Sequence, residues 1–379
     1  MTATGRNQTI DLLRGMAMLL VIYGHALEMF FVPNMRADHG FDRVAFQAWS
    51  LIYSFHMPAF YFVSGMTAIY FATRPFRKIL LTALTFILLA DFAHLLGAVP
   101  FVGVAIYHHV PTIHIVKNVI RPFVAGWGYC LVLPWFLVSL ALVQVLAWLH
   151  IHARLMGKAL IWFGVVAIYL LVHHYGKLYF QAQSWAVGLA FFLAGREAMW
   201  HEHFIQEKPR SVFLLLACLA AALLFFSYPL NRGCMLDPSQ TCSAAAGTQV
   251  FAVSLLYGLI GFPPLFFFTA FAGIAALGFL ALAMQGTRFM PALSWVGRNT
   301  LPLLILNGFV LVFAEKILSK VLSIGLLGVP SLIWAALLTA IQIALLPVVI
   351  PALTKLYDFS RSLADLSLIR LNRLIPLDE

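Results

Sequence analysis

The chain has 379 residues, of which 62% are hydrophobic and only 10% are charged, and its mean hydropathy is +0.93. Soluble proteins carry about 25% charged residues, so this composition excludes an ordinary soluble domain. The formal net charge is +10. In a membrane protein such an excess reflects basic residues on the cytoplasmic side, so we expect contact with membrane lipids and no nucleic-acid partner.

Apolar runs near 20 residues recur from end to end, and a helix needs about 20 residues to cross a bilayer. The sequence therefore predicts an all-α polytopic membrane protein with about ten transmembrane helices. Pro263 and Pro264 are predicted to break the eighth run into an interfacial or re-entrant piece and a true transmembrane helix. The predicted spans are 10–32, 49–72, 78–97, 127–149, 159–175, 181–199, 211–229, 250–284, 300–318 and 331–354.

The distribution of basic residues predicts the topology. Placing the N-terminus inside leaves 16 of the 24 Lys and Arg residues on the cytoplasmic side, which favours an N-in, C-in arrangement. Cys234 and Cys242 then lie in an outside loop, either as a disulfide, which that compartment permits, or as two free thiols. Residues 1–355 form the predicted transmembrane domain, and 356–379 read as a cytoplasmic amphipathic tail on the inner leaflet.

The first span, DLLRGMAMLLVIYGH, carries an arginine and a histidine that a helix in hydrocarbon does not keep cheaply. Arg14 and His25 are eleven residues apart, which places them on one helix face about 16 Å apart along the axis. Glu28 follows His25 at i+3 and could orient it or couple to its charge. This polar face predicts a functional site.

The second span contains YSFHMPAFYFVSG. If the first span ends near residue 32 and the second starts near residue 49, His56 lies at a depth similar to that of His25. The two imidazoles could then meet at one level of the membrane. Pro58 would open the backbone just past His56. The alternative is that a neighbouring helix satisfies His56, which then has no chemical role.

Directly after the second span, RPFRK supplies Arg74, Arg77 and Lys78 at a cytoplasmic helix junction. These cations could be topology anchors that touch anionic lipid. They could also hold the phosphates of a nucleotide-bearing donor, because arginine binds phosphate in a bidentate way.

Together these segments resemble the acyltransferase-3 family of bacterial integral membrane O-acyltransferases, which modify polysaccharides and other glycans. Weaker similarities occur at LPWFLVSL (133–140), FFLAGRE (191–197) and LSWVGRNTLPLLIL (293–306), so the resemblance covers residues 1–355. It implies that His25 is the essential histidine, that Arg14 is its partner, and that Arg74 and Arg77 serve the acyl donor. Family members often carry a histidine where this chain has Asn307, and Asn cannot shuttle a proton near neutral pH.

The resemblance implies transfer of an acyl group, commonly acetyl, from cytoplasmic acetyl-CoA to a sugar hydroxyl of an extracytoplasmic or lipid-linked polysaccharide, in a bacterial inner membrane. The residues fit this chemistry, because imidazole can take the hydroxyl proton and Arg14 can bind the phosphates of the donor. A transient acyl-His25 is a less favoured route.

Rival interpretations are a succinyltransferase that acts on a periplasmic glucan and a secondary transporter with Arg14, His25 and His56 along its pathway. No metal is expected, because HHVPTIH (108–114) has poor spacing for zinc.

Overall fold

The computed structural model describes residues 7–36, 42–131, 133–175, 179–200, 208–231, 253–321 and 329–372. Within these ranges the chain is helical and contains no β-strand, and one isolated antiparallel bridge joins Ser254 and Leu259. The all-α expectation is therefore confirmed for the described part of the chain.

The α-helices of the described residues are numbered in chain order. They are α1 (Gln8–Arg36), α2 (Arg43–Tyr53), α3 (His56–Met66), α4 (Phe76–Tyr107), α5 (Thr112–Ala125), α6 (Pro134–His152), α7 (Leu155–Tyr175), α8 (Trp185–Trp200), α9 (Arg210–Ser227), α10 (Pro263–Ala283), α11 (Met290–Arg298), α12 (Thr300–Val321) and α13 (Val329–Asn372). Short 3-10 turns lie at Ile69–Ala72, Tyr179–Ser184, Tyr228–Leu230 and Leu255–Tyr257.

Six of the helices in the described ranges are long and apolar enough to cross a membrane, and a seventh span results if α11 and α12 are counted together across their 76° bend. Each of the ten predicted spans overlaps at least one helix. Several of these helices are too short or too broken to qualify alone, so a multi-pass membrane protein is supported, while the number ten stays a prediction.

The prolines that were predicted to break helices lie in first helical turns. Pro263 and Pro264 open α10, where the first helical N–H groups need no intrahelical partner. The sequence predicted that Pro58 opens the backbone just past His56, and this prediction is wrong, because α3 continues through Pro58. The break instead lies at Ser54 and Phe55, ahead of α3, and Pro58 occupies the first turn of α3, where its missing N–H removes no helical hydrogen bond.

The chain divides into two compact units that are described separately. The first comprises Met1–Met66, Ala194–Leu255 and Leu259–Pro347, and the second comprises Thr67–Leu193, Leu256–Gly258 and Val348–Glu379.

Helix α1 is the centre of the first unit, and 78% of its most apolar 18-residue stretch is buried. One core cluster joins its C-terminal half, including Leu27 and Phe30, to Trp49 of α2. A second joins its first turns to α3 and α10 through Leu12, Val63 and Ala281. The residues at the predicted inner end and those around His25 are therefore both packed on neighbouring helices.

Two glycines allow α1 to approach α11 closely. A side chain at Gly15 would overlap the carbonyl oxygen of Leu293, and one at Gly297 would overlap the carbonyl oxygen of Asp11. Backbone therefore packs directly on backbone at this crossing, which fixes the position of the turn that carries Arg14.

In the second unit, the C-terminal part of α13 contacts α4. Asp365 lies 3.4 Å from Arg77, and the ring of Phe359 packs on that of Phe92. Lys355, where we predicted the end of the transmembrane domain, lies inside this continuous helix. The inner-leaflet tail stays a prediction, and Cys234 and Cys242 lie outside the described residues.

Candidate active site

The predicted polar face of α1 is intact, because α1 is one continuous helix from Gln8 to Arg36. Arg14 is half-buried and His25 is buried. Their separation is therefore the expected three helical turns, about 16 Å along the axis. Both belong to the first unit.

His25 forms a hydrogen bond with a residue that the sequence marked only as a departure from the family pattern. Its Nδ1 lies 2.9 Å from Oδ1 of Asn307 on α12. The Nδ2 of Asn307 donates to Oε1 of Gln342 on α13 at 2.8 Å. Asn307 and Gln342 are each 1% exposed and His25 is 8% exposed. Three helices therefore meet at one imidazole through buried amides.

An aromatic ring lies between the two histidines of the predicted site. Tyr53 contacts His25 edge-on with ring centroids 6.0 Å apart, and it packs on His56 at 4.4 Å. Nδ1 of His56 lies 2.9 Å from the carbonyl oxygen of Ile52, one turn earlier. The fold thus gathers His25 and His56 around Tyr53, and their equal depth in the membrane stays a prediction.

Glu28 contacts this aromatic group. Trp49 Nε1 donates to Oε1 of Glu28 at 2.8 Å, and the hydroxyl of Tyr53 donates to the same oxygen. Trp49 and Tyr53 also pack on one another, with centroids 4.0 Å apart. No hydrogen bond joins Glu28 to His25 among the described residues; Glu28 instead accepts from Tyr53, whose ring contacts His25.

The basic residues after the second span lie in the second unit. Arg74 and Lys78 are exposed, on either side of Pro75, which caps α4. The Trp148 indole donates to the Arg74 carbonyl oxygen at 2.9 Å, and Arg77 is held 3.4 Å from Asp365. A helix N-terminus favours bound anions, so this cluster can hold phosphate.

Another buried histidine shows what a structural role looks like in this protein. In the second unit, Nε2 of His94 donates to the Val119 carbonyl oxygen at 3.0 Å, and Nδ1 accepts from the backbone N–H of Cys130 at 3.0 Å. Both ring nitrogens are engaged, so His94 has no lone pair left for proton transfer.

Sequence reasoning missed Trp49, Tyr53 and Gln342. A glutamine inside the apolar run LLTAIQIALLP was the available signal for Gln342, because a polar residue within a span needs a partner. Tyr53 and Trp49 gave none, because aromatic residues near span ends have an ordinary interfacial explanation. No group of three or more potential metal ligands occurs among the described residues.

A buried imidazole with one nitrogen bonded to an amide can accept a proton at the other. A protein-family model described as an acyltransferase domain matches residues 7–350, nearly the whole chain. No curated protein and no solved structure matches the chain.

Proposed function

Because the chain belongs to the acyltransferase-3 family, we propose that it transfers an acetyl group from cytoplasmic acetyl-CoA to a sugar hydroxyl of an extracytoplasmic or lipid-linked polysaccharide. That it is a multi-pass membrane acyltransferase follows from the family and from its apolar helices. The acetyl donor, the saccharide acceptor and the residue roles are our proposal. Its site of action is a bacterial inner membrane, with both termini inside.

The observation that supports the proposal most is the environment of His25. This imidazole is buried in the first unit, and among the described residues its one hydrogen bond is made by Nδ1. Transfer from a thioester to a hydroxyl needs a base that takes the hydroxyl proton, and imidazole serves this purpose near neutral pH.

In the proposed reaction, Nε2 of His25 takes the proton of the sugar hydroxyl while its oxygen attacks the acetyl carbonyl carbon of acetyl-CoA. A tetrahedral oxyanion forms, and its collapse breaks the carbon–sulfur bond. The CoA sulfur leaves as a thiolate and receives the proton from His25. The products are an O-acetyl ester and CoA, and the imidazole returns to its starting form.

The arginines serve the donor in this proposal. Arg74, Arg77 and Lys78 hold the nucleotide phosphates of acetyl-CoA, because they cluster at the N-terminal end of α4, where anions are favoured. Arg14 lies three turns from His25 on the same helix, so we assign it to the donor phosphates and not to the oxyanion. His56 lines the site across Tyr53.

The test is a transfer assay with purified protein in detergent. The protein is supplied with radiolabelled acetyl-CoA or succinyl-CoA and with a membrane extract that contains lipid-linked glycans. We expect label in the glycan from acetyl-CoA. We expect the double variant Arg74→Ala/Arg77→Ala to raise KM for the donor while kcat survives at saturation. Lys208 and Arg210 are exposed and lie outside this cluster, so Lys208→Ala/Arg210→Ala is the matched control and keeps the wild-type KM.

If label reaches the glycan only from succinyl-CoA, the donor is succinyl-CoA and not acetyl-CoA. If a folded protein binds and turns over neither donor, the proposal fails and the transporter interpretation of Arg14, His25 and His56 takes its place. An unchanged donor KM in the Arg74/Arg77 variant would return these residues to the role of topology anchors.

A further inference from the structure

We propose that Asn307 and Gln342 are positioning residues that hold the His25 imidazole as the tautomer with its proton on Nδ1 and its lone pair on Nε2. This inference rests on the proposed function, in which Nε2 takes the hydroxyl proton. It assigns a role to Asn307, which stands where family members often carry a histidine, and it adds Gln342, which was not among the predicted site residues.

The argument begins at the far end of the chain of hydrogen bonds. Gln342 Nε2 lies 3.3 Å from the carbonyl oxygen of Leu338, one turn earlier on α13. A backbone carbonyl only accepts hydrogen bonds, so the amide nitrogen of Gln342 must face it. The Oε1 of Gln342 therefore faces Asn307.

The direction then passes from one amide to the next. Because Gln342 presents an oxygen, Asn307 must donate to it with Nδ2, at 2.8 Å. Asn307 consequently presents Oδ1 to His25, 2.9 Å from Nδ1. An amide oxygen cannot donate, so Nδ1 of His25 carries the proton. In a neutral imidazole the other nitrogen then holds the lone pair.

The opposite direction is unfavourable in this setting. Rotating both amides would place Gln342 Oε1 against the Leu338 carbonyl oxygen, so two acceptors would face each other without a proton. Asn307, Gln342 and His25 are all buried, so bulk water cannot relieve that contact. One fixed backbone carbonyl therefore sets the tautomer of an imidazole two side chains away.

The tautomer matters because the two ring nitrogens point in different directions from one ring. Nδ1 faces the amide pair, so a base at Nδ1 could not reach a substrate hydroxyl. Nε2 has no hydrogen-bond partner among the described residues. Tyr53 packs edge-on against the ring from another side and limits its rotation. The amides and the aromatic ring together leave Nε2 as the one available base.

The first test measures the tautomer directly and needs no substrate. Full-length protein with isotope-labelled histidine is examined in detergent by NMR at about pH 8, where a model imidazole is neutral. The His25 signal is the one lost in His25→Gln. We expect the Nδ1–H form in the wild type and a mixture of both tautomers in Asn307→Leu, because leucine is nearly isosteric but cannot accept a hydrogen bond.

Gln342→Leu is a second route to the same prediction, because it leaves Asn307 in place but removes the group that sets its direction. We expect the His25 signal to become mixed there too. The matched control is Gln144→Leu, which removes a buried glutamine from α6 and should leave the signal unchanged. A wild-type His25 in the Nε2–H form, or an unchanged signal in both Asn307→Leu and Gln342→Leu, overturns the inference.

The second test separates positioning from packing by kinetics. Loss of a partner that orients a metal-bound histidine costs on the order of 10- to 100-fold in activity. By analogy we expect Asn307→Leu to lower kcat by about that factor with KM for acetyl-CoA unchanged. Asn307→Asp keeps an acceptor for Nδ1–H and, as the neutral acid that burial favours, a donor to Oε1 of Gln342, so it should recover most of kcat. The double variant with Gln342→Leu should be no slower than Asn307→Leu alone, because the two amides act as one unit.

A wild-type kcat in a folded Asn307→Leu protein contradicts the inference. The two proposals can fail separately. A protein that turns over no donor but shows the expected NMR signals refutes the proposed function alone, whereas normal turnover with a mixed or opposite tautomer in the wild type refutes the positioning role alone.

Discussion

At the scale of single residues, what distinguishes a functional histidine here is the use of its ring nitrogens. His94 has both nitrogens bonded to backbone groups, whereas Nδ1 is the engaged nitrogen of His25 and of His56. Charge and hydropathy do not separate these residues, because all three lie in apolar stretches. The hydrogen bonds do separate them.

Glu28 provides a residue-scale prediction. Because its oxygen accepts from Trp49 and Tyr53, Glu28→Gln keeps an acceptor and should retain kcat within about 10-fold. Glu28→Leu leaves the buried Trp49 N–H unpaired, which costs about 1–3 kcal/mol, and should lower both kcat and the thermal midpoint. Kinetics and thermal unfolding in detergent check both variants. A Glu28→Gln enzyme as inactive as Glu28→Leu would show that the charge itself acts on His25.

Asp365 provides a second prediction at this scale. Arg77 and Asp365 are 36% and 49% exposed, and such surface pairs contribute about 0–1 kcal/mol. Asp365→Asn should therefore leave the thermal midpoint nearly unchanged. It removes a carboxylate that competes with the phosphates of the donor, so KM for acetyl-CoA should fall by up to about fivefold, which corresponds to about 1 kcal/mol.

Asp358→Asn, another exposed acid on α13, is the matched control for this experiment and should leave KM unchanged. A KM that rises in Asp365→Asn would show that Asp365 orients Arg77 toward the donor and does not compete for it.

The residues that sequence reasoning predicted are those whose relationships are local. Arg14 and His25 share a face because a helix has a fixed period, and this needed no tertiary information. Asn307 bonds to His25 across 282 residues of chain, and Gln342 joins them through Asn307. No local pattern could place these residues together. Glu28 was predicted to orient His25 or couple to its charge because it is close on the same helix, and this stays a prediction. Its hydrogen-bond partners, Trp49 and Tyr53, lie on another helix and could not be predicted from that spacing.

At the scale of elements, α11 packs directly against the backbone of α1, the helix that carries Arg14 and His25. Gly15 and Gly297 each lie where an added side chain would overlap a carbonyl oxygen of the other helix. Neither backbone can move away without shifting the turn that holds Arg14. This contact was invisible in the sequence, because WVGR in α11 shows only a glycine next to an arginine.

This contact gives a stability prediction. Overpacking a well-packed site costs about 1–3 kcal/mol, so Gly15→Ala and Gly297→Ala should each lower the thermal midpoint in detergent. Gly164 on α7 has nothing within 4 Å of an added Cβ, and alanine favours a helix by about 1 kcal/mol over glycine. Gly164→Ala should keep or raise the midpoint. Equal midpoints for Gly297→Ala and Gly164→Ala would contradict the close contact.

The two proline predictions had different outcomes, because Pro263 begins a helix as expected, whereas Pro58 does not break one. Pro263 opens α10 as expected. Pro58 was expected to break the backbone after His56, but a proline in the first helical turn disturbs nothing. The break falls at Ser54 and Phe55 instead, which leaves His56 at the start of α3 with its bond back to Ile52.

At the scale of the whole molecule, hydropathy and charge predicted a helical membrane protein, and the family match over residues 7–350 places that protein among the acyltransferases. Hydropathy could not give the number of spans, because a bent pair such as α11 and α12 and a kinked pair such as α2 and α3 have the composition of one span but the geometry of two helices.

The topology gives a prediction at this scale. With both termini inside, alkaline phosphatase fused after residue 379 should be inactive, whereas the same reporter fused within residues 234–242 should be active, because that enzyme folds only in an oxidising compartment. The excess of basic residues on the cytoplasmic side is the physical reason. The reverse pattern of activity would invert the orientation and move Arg74 and Arg77 away from a cytoplasmic donor.

The measurement that tests the central claim most directly is the rate of acetyl transfer by His25→Gln. Glutamine keeps a polar side chain that can bond to Asn307 but cannot accept a proton near neutral pH. Purified wild type, His25→Gln and the exposed control His114→Gln are compared at saturating radiolabelled acetyl-CoA. The account predicts that transfer falls by at least about 100-fold in His25→Gln, the scale of a lost general base, and persists in His114→Gln. Wild-type transfer by a folded His25→Gln protein would contradict it.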